Sequence, residues 1–282
     1  MGGNGHQPKV RFARDGDVGT VTLDSPPLNL IGQELIADLL AAFSQVEAAD
    51  GLRALVLRGE GNVFSAGADV ALFADLGTAK LRRVIGSFID LGHRIERMPF
   101  PTLAAVHGTC MAGGFELALF CDLIWAAEGT MLGLPETRLG IVPLAGGIER
   151  LAARAGLGRA RVVGLGGDLH TAEEFAVWGV IDRVVPSDEL HNAAEEFARR
   201  LAAGPTRAFS VVKDLIRVYT TDGVMGADSL LTDAAVGLFD TGRRSRRYRE
   251  FPDVRSWPRG IRWALAPCGW QTTADLATHL NT

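Results

Sequence analysis

Two stretches of small residues constrain this chain more than any other feature: Phe64-Ser65-Ala66-Gly67-Ala68-Asp69 and His107-Gly108-Thr109-Cys110-Met111-Ala112-Gly113-Gly114-Phe115-Glu116. Each follows a short apolar run, Arg53-Ala54-Leu55-Val56-Leu57-Arg58 in one case and Thr102-Leu103-Ala104-Ala105-Val106 in the other. Such runs, bounded by turn residues, read as buried strands. Each stretch then leads towards residues of helical period. Two strand-to-helix transitions without bulky side chains fit an α/β fold in which backbone approaches backbone or ligand closely. Taken singly, each is equally a packing device: a tight strand exit, or a close contact between helix and sheet.

The rest of the chain extends the α/β pattern. Val18 to Leu23 reads as a strand ending in Asp24-Ser25-Pro26-Pro27, and Gly32 to Ala49 carries Leu35, Ile36, Leu39, Leu40, Phe43 and Val46 at helical spacing. A long helix is predicted from Ala79 to Met98, stopped by Pro99 and Pro101. Another runs from Gly113 towards Cys121. Leu123 to Ala126 and Ile181 to Val185 read as further strands. From Ser187 to Leu238 the pattern is helical, broken at Gly204-Pro205 and at Thr220 to Gly223.

Bulk properties exclude several classes. A chain of 282 residues with 47% apolar residues and a net charge of -4 has material for a large core. Cys110, Cys121 and Cys268 are too few and too scattered for a disulfide framework, and no metal-ligand spacing joins them to histidines. No segment reaches the roughly 20 apolar residues of a membrane span. The residues from Met1 to His6 lack the apolar centre of a secretory signal. The expectation is a cytoplasmic protein. Neither a G-x-G-x-x-G, a Walker-type G-K-[ST] nor a G-x-S-x-G elbow is present.

What remains is chemistry by backbone and carboxyl. Two N–H groups at strand-to-helix transitions of one sheet can converge on one oxygen, and helix N-termini favour negative charge. Such a pair forms an oxyanion hole, where loss of one donor typically costs ~3 kcal/mol of barrier. Glu116 stands in an otherwise apolar stretch (Phe115, Leu117, Ala118, Leu119), where an unpaired charge is expensive and a functional one is better explained. Glu136, after Pro135, is a second carboxyl, though by itself it reads as a loop residue.

Together these motifs closely resemble the enoyl-CoA hydratase/isomerase (crotonase) superfamily. The likeness runs from Phe64 to Asp69, through Val106-His107-Gly108, Gly113 to Ala118 and Cys121-Asp122, to Pro135-Glu136, Leu139 to Pro143, Gly146-Gly147, Arg150-Leu151 and Trp178 to Pro186. It covers roughly residues 10 to 240. It implies a crotonase-type ββα spiral core over residues 1–190, a helical C-terminal trimerisation region over 191–242, and an atypical tail over 243–282. The substrate implied is an acyl-CoA thioester, with CoA as part of the substrate and neither metal nor separate cofactor. The resemblance places the oxyanion hole on the N–H groups of Ala66 and Gly113. It runs the loop Ala66, Gly67, Ala68 and Asp69 beside the CoA, and gives the two catalytic roles to Glu116 and Glu136. Members with both glutamates look like hydratases, so the expectation is hydration of a trans-2-enoyl-CoA, Glu116 acting mainly on the water and Glu136 mainly in proton transfer. Trimers or pairs of trimers are implied.

Two rivals stand beside this reading. An isomerase moving a double bond between C3 and C2 needs one proton-shuttling carboxyl, most naturally Glu136. A non-catalytic acyl-CoA-binding relative would keep the fold without turnover. The residues Glu60 to Phe64 lack the lysine often found near the CoA phosphates, and Arg53 is the candidate replacement. Leu81, Val84, Ile85, Phe88 and Leu91 are candidates for an acyl pocket, and equally for core. After Leu238-Phe239-Asp240-Thr241 the family's closing pattern breaks. Between Arg243 and Arg262 eight arginines face only Glu250 and Asp253, and Trp257, Trp263 and Trp270 follow no helical period. Three readings compete for this tail: a genuine extension, a basic surface for nucleic acid or phosphate, or a coding frame shifted near Gly242. Nucleic acid is the least favoured partner, since an arginine cluster is usually solvated.

Overall fold

The computed structural model describes residues 8–69 and 76–239. The tail and its three readings lie outside the described residues. The chain divides into two compact units, residues 1–227 and 228–282.

Strands β1 (Val10–Asp15), β2 (Val18–Leu23), β3 (Ala54–Gly59), β4 (Thr102–Val106), β6 (Leu123–Ala127) and β9 (Arg183–Val185) form the main sheet, in the order β1-β2-β3-β4-β6-β9. The first pair is antiparallel and every later pair parallel. A smaller sheet joins β5 (Thr109–Met111), β7 (Met131–Gly133) and β8 (Leu169–Thr171) in the order β5-β7-β8. The helices are α1 (Gln33–Ala48), α2 (Thr78–Glu96), α3 (Gly113–Leu119), α4 (Gly147–Gly166), α5 (Ala172–Val177), α6 (Leu190–Ala202) and α7 (Thr206–Phe239), with a 3-10 turn at Pro135–Leu139. Helix α4 is interrupted at Gly156 and α7 at Gly223, where the backbone leaves helical geometry.

The central strands are apolar throughout because both faces of the sheet are covered. Alternate residues go to opposite sides: Leu55 and Leu57 of β3, Ala104 and Val106 of β4, and Ile124 and Ala126 of β6 join the larger core with α1, α2 and α3. Their neighbours Ala54 and Val56, Leu103 and Ala105, and Trp125 and Ala127 face α6. That helix presents Leu190, Ala194, Ala198 and Ala202, one residue every four, so its small side chains ride close to the sheet. Fully burying a leucine or phenylalanine in such a core contributes about 1.5–3 kcal/mol. Helix α7 is tied to the sheet by charge: Lys213 Nζ donates to Asp122 Oδ2 at 2.7 Å and to the Phe100 carbonyl at 3.0 Å, while Asp122 also accepts from the N–H and hydroxyl of Thr102.

This topology positions the site. Strands β3 and β4 are parallel neighbours paired from Leu55↔Thr102 to Arg58↔Ala105, so the two small-residue stretches leave the sheet side by side at its C-terminal edge. A bridge between Ser65 and Cys110 then binds one stretch to the other. Ligands of open α/β sheets sit at this edge of parallel strands.

Candidate active site

The small residues are required by how closely the two loops interlock. A Cβ on Gly114 would stand 2.6 Å from Ser65 Cβ, and one on Gly67 would stand 2.6 Å from Ala112 Cβ. Ala112 itself enters α3 at φ 50 and ψ -130, a backbone region that side-chain-bearing residues avoid.

The direction of each N–H in the first loop decides which can meet a ligand. Phe64 donates to His107 O (2.9 Å), Ser65 to Thr109 O (3.1 Å), Ala66 to Leu28 O (2.9 Å) and Asp69 to Ile31 O (3.1 Å). Gly67 donates to Ser65 Oγ at 3.2 Å. Ala68 is the exception; among the described residues its N–H has no acceptor. The expectation for Ala66 is therefore corrected: its N–H is consumed by the Leu28 carbonyl, and the free donor lies two residues on, at Ala68. Gly113, the first residue of α3, has an N–H that the helix leaves unpaired, and no acceptor for it is found among the described residues. A Cβ at Gly113 would have Ile31 Cδ1 and Phe88 Cε1 as its nearest neighbours, both at 3.5 Å, which places an apolar wall beside this donor.

Every residue of α3 is buried, including Glu116 at 2% exposure. Its carboxyl is held by the loop before α4. Oε1 accepts N–H bonds from Ala145 (2.7 Å) and Gly147 (2.9 Å), and Oε2 accepts one from Leu144 (3.2 Å). Burial pushes the Glu116 pKa up, and these three N–H groups pull it back. Glu136 is delivered by the 3-10 turn, which Pro135 starts and left-handed Gly140 ends. It is 6% exposed, and its Oε2 is buried with no hydrogen-bond partner among the described residues. Burial raises its pKa to about 7, opposed by a backbone hydrogen bond and reinforced by the charge of Glu116. Two carboxyls thus share one place in unlike states, one saturated with donors and one with an unengaged oxygen.

Asp69 lines a cleft of about 560 Å³ with Ser25, Pro27, Leu28, Leu30 and Gln33. Arg53 is the expected cation for CoA phosphates. It precedes β3, whose six residues span roughly 20 Å and carry the loop at their far end. Its guanidinium is engaged by Gly204 O (2.6 Å) and Thr206 Oγ1 (2.9 Å), with Asp17 at 3.8 Å. Of the proposed acyl-pocket residues, Phe88 reaches the Gly113 wall; Val84 and Leu91 are buried in the core, and Leu81 and Ile85 are half-buried. Two further residues shape the site. Asn29, fully buried at φ 49, places Nδ2 within bonding distance of the carbonyls of Glu60, Val63 and Phe64. Arg150 packs behind the Glu116 loop. A polar residue inside the apolar run Leu28 to Ile31 was the available signal for Asn29. Arg150 stands within the family likeness as Arg150-Leu151, but nothing in the sequence assigned it a place at the site.

Among the described residues, no helix is long and apolar enough to cross a membrane, and no group of three or more His, Cys, Asp or Glu side chains could hold a metal ion. A family model described as enoyl-CoA hydratase/isomerase matches residues 13–228. A probable enoyl-CoA hydratase of Bacillus subtilis is 32% identical over 219 residues, spanning 76% of this chain and 85% of its own. A carnitinyl-CoA dehydratase of Salmonella arizonae is 34% identical over 209 residues, 74% of this chain and 80% of that one. The crystal structure of enoyl-CoA hydratase from Bacillus anthracis superposes with a TM-score of 0.82 at 28% identity, covering 86% of this chain and 95% of that one. The enoyl-CoA hydratase of Thermoplasma volcanium gives the same score and identity over 87% and 98%. The fold is thus of the crotonase type, and this chain belongs to the enoyl-CoA hydratase/isomerase family.

Proposed function

We propose that the protein adds water across the double bond of a trans-2-enoyl-CoA to give a 3-hydroxyacyl-CoA. The observation that carries this reading is the unlike pair of carboxyls, Glu116 with three N–H donors and Glu136 with a free buried oxygen and a pKa of about 7. Both pKa values are pushed up by burial, but three N–H donors favour an ionised Glu116 while nothing among the described residues stabilises the buried Glu136 Oε2 as a charge, and that difference assigns the base and the acid. The hydratase and dehydratase relatives support the same class of reaction.

The thioester oxygen sits between the N–H groups of Ala68 and Gly113, which stabilise the negative charge that develops there. Glu116, in the carboxylate form that its three N–H donors favour, takes one proton from a water while that water's oxygen bonds to C3. The C2=C3 electron pair moves onto the thioester as an enolate. Glu136 then gives its proton to C2, and the proton held by Glu116 returns to Glu136 through solvent, so the site is restored. Each proton-transfer group contributes typically 10²–10⁴-fold. CoA enters as part of the substrate, and the cleft lined by Asp69, the residue after the Ala68 donor, is its proposed approach.

Isomerisation is the alternative reading. It uses Glu136 alone and leaves Glu116, with its three dedicated donors, no task. A catalytically silent acyl-CoA binder would retain the donors but show no turnover. Loss of the conjugated enoyl-thioester absorbance on mixing with crotonyl-CoA or a longer homologue decides among these. Hydration predicts rapid loss, abolished in Glu116→Gln and in Glu136→Gln. Binding without loss removes hydration of these substrates from consideration. Assembly into trimers or pairs of trimers, in the cytoplasm, belongs to the same proposal. Helix α7 buries none of its residues within the single chain and exposes Val212, Ile216 and Tyr219, a face available to further copies. A light-scattering mass of one chain would refute that part.

A further inference from the structure

Arg150, in the first turn of α4, makes an unusual set of contacts for a helix-surface arginine. Its Nε and Nη2 grip Glu96 at the end of α2, at 2.7 and 3.0 Å. The guanidinium carbon lies 4.7 Å from the centre of the Phe120 ring. The remaining nitrogen, Nη1, donates to the carbonyls of Ala145 (3.1 Å) and Gly146 (3.2 Å). The Gly146 carbonyl and the Gly147 N–H are two ends of one peptide unit, and that N–H donates to Glu116 Oε1 at 2.9 Å. One peptide plane therefore carries a cation on its oxygen and a carboxylate on its hydrogen.

We propose that Arg150 is a positioning residue for Glu116, orienting and polarising the Gly146–Gly147 peptide from behind. A hydrogen bond to a peptide oxygen strengthens the bond given by the same unit's N–H, by roughly 10–30% in condensed phases. Geometry limits the task to arginine. Its planar fork holds Glu96 with one edge while the other meets two carbonyls, and it stays charged at every working pH. Lysine has no such fork. Glycine is required at 146 for two reasons: its backbone is left-handed at φ 85, and a Cβ there would collide with Arg150 Nη1. The titratable groups around Glu116 are Glu136 from the 3-10 turn and Glu149 from α4, both acidic residues, with Arg150 and its partner Glu96 behind the loop. Arg150 is thus the cation that offsets an otherwise acidic surround.

The inference rests on Glu116 as the water-activating base, and the test separates the two ideas. Protein labelled with ¹³C at glutamate side-chain carboxyls is titrated by NMR, the Glu116 signal being identified by its loss in Glu116→Gln. In Arg150→Met the Glu116 midpoint is expected to rise by about one unit. Arg150→Lys should give a smaller rise in the same direction. Arg94→Met serves as the control, because Arg94 forms an equally close forked pair with Glu47 (2.8 and 2.7 Å) between α1 and α2 and touches nothing at the site. A Glu116 midpoint that is unmoved in folded Arg150→Met, or moved as far in Arg94→Met, overturns the proposal. Should Arg150→Met fail to fold, the Arg150→Lys midpoint decides it by the same rule. The acid limb of kcat for an enoyl-CoA should follow the midpoint with KM unchanged. A midpoint that moves while the limb does not upholds the Arg150 link and instead removes Glu116 from the role of base.

Discussion

The hydroxyl of Ser65 donates to the backbone oxygen of Asn29 at 2.8 Å, and the same hydroxyl accepts the N–H of Gly67 at 3.2 Å. Asn29 in turn accepts the Ser25 N–H at 2.8 Å and donates its amide to the carbonyls of Glu60, Val63 and Phe64, all of which lead into the Ser65 turn. Two buried polar side chains thus aim the loop whose one unpaired donor is Ala68.

Ser65→Ala should keep the Cβ that packs on Gly114 but leave the Gly67 N–H and the Asn29 oxygen without their partner. A buried group left unsatisfied costs about 1–3 kcal/mol, so the urea midpoint should fall by an amount in that range. Turnover should fall further than binding, because the loss falls on the aim of a donor. Stability and kcat both equal to the parent would mean the hydroxyl is incidental.

The glycines of the two loops are predicted to differ sharply. Gly114→Ala and Gly67→Ala place a methyl 2.6 Å from Ser65 Cβ and Ala112 Cβ respectively, and Gly67 also sits at φ 94. Overpacking a tight site costs typically 1–3 kcal/mol, and the backbone strain at Gly67 adds to it. Gly113→Ala meets its nearest atoms at 3.5 Å, an ordinary contact, and lies in a helix that favours alanine by about 1 kcal/mol over glycine. It should be as stable as the parent in thermal melting. Equal destabilisation at all three positions would contradict the interlocked geometry.

Much of this arrangement could be read from residues, and what could not has physical causes. Strands β2, β3, β4 and β6 announce themselves because a strand covered on both faces must be apolar throughout. Strand β1 does not: it pairs only with β2, and Arg11, Ala13, Arg14 and Asp15 are exposed or half-exposed on it. Strands β5, β7 and β8 have three residues each, too few for any period to show. Glu116 was visible as a charge in an apolar helix. The choice between Ala66 and Ala68 was not visible, since it depends on where the Leu28 carbonyl lies. For Arg53 the sequence shows that it precedes β3, but not that Gly204 and Thr206 engage its guanidinium.

Ala112 offers a test in which stability should increase. Its φ of 50 with ψ of -130 is open to glycine and costs other residues on the order of 1–3 kcal/mol. Ala112→Gly relieves that cost and loses about 0.5–1 kcal/mol to greater unfolded-chain entropy, leaving a gain of up to about 2 kcal/mol. The Ala112 methyl is also the atom that bars a side chain from Gly67, so Ala112→Gly should partly rescue Gly67→Ala. Thermal melting of the two single variants and the double variant measures this coupling. Strict additivity would mean the two residues do not meet.

The Glu136 carboxyl ties both stability and turnover to pH, and both decline as it ionises. Its pKa is about 7 in the folded protein against an ordinary value of 4.5. Between those values the folded protein holds a proton that the unfolded chain has released. Stability must then decline as pH rises across this window, by up to about 3 kcal/mol, and level off above it. Glu116, also pushed upward by burial, acts in the same direction. Glu136→Gln keeps the shape without the charge, so it should flatten most of the decline and be more stable than the parent at about pH 8, where the parent's carboxyl is ionised both folded and unfolded. The same change removes the proton that C2 requires, and hydration should be lost. In the parent, turnover should fall as pH passes about 7 and the acid form disappears. Urea midpoints of both proteins between about pH 5 and about pH 8 measure the first effect. An unchanged slope in Glu136→Gln would place the titrating group elsewhere, and would remove Glu136 as the acid whatever the activity.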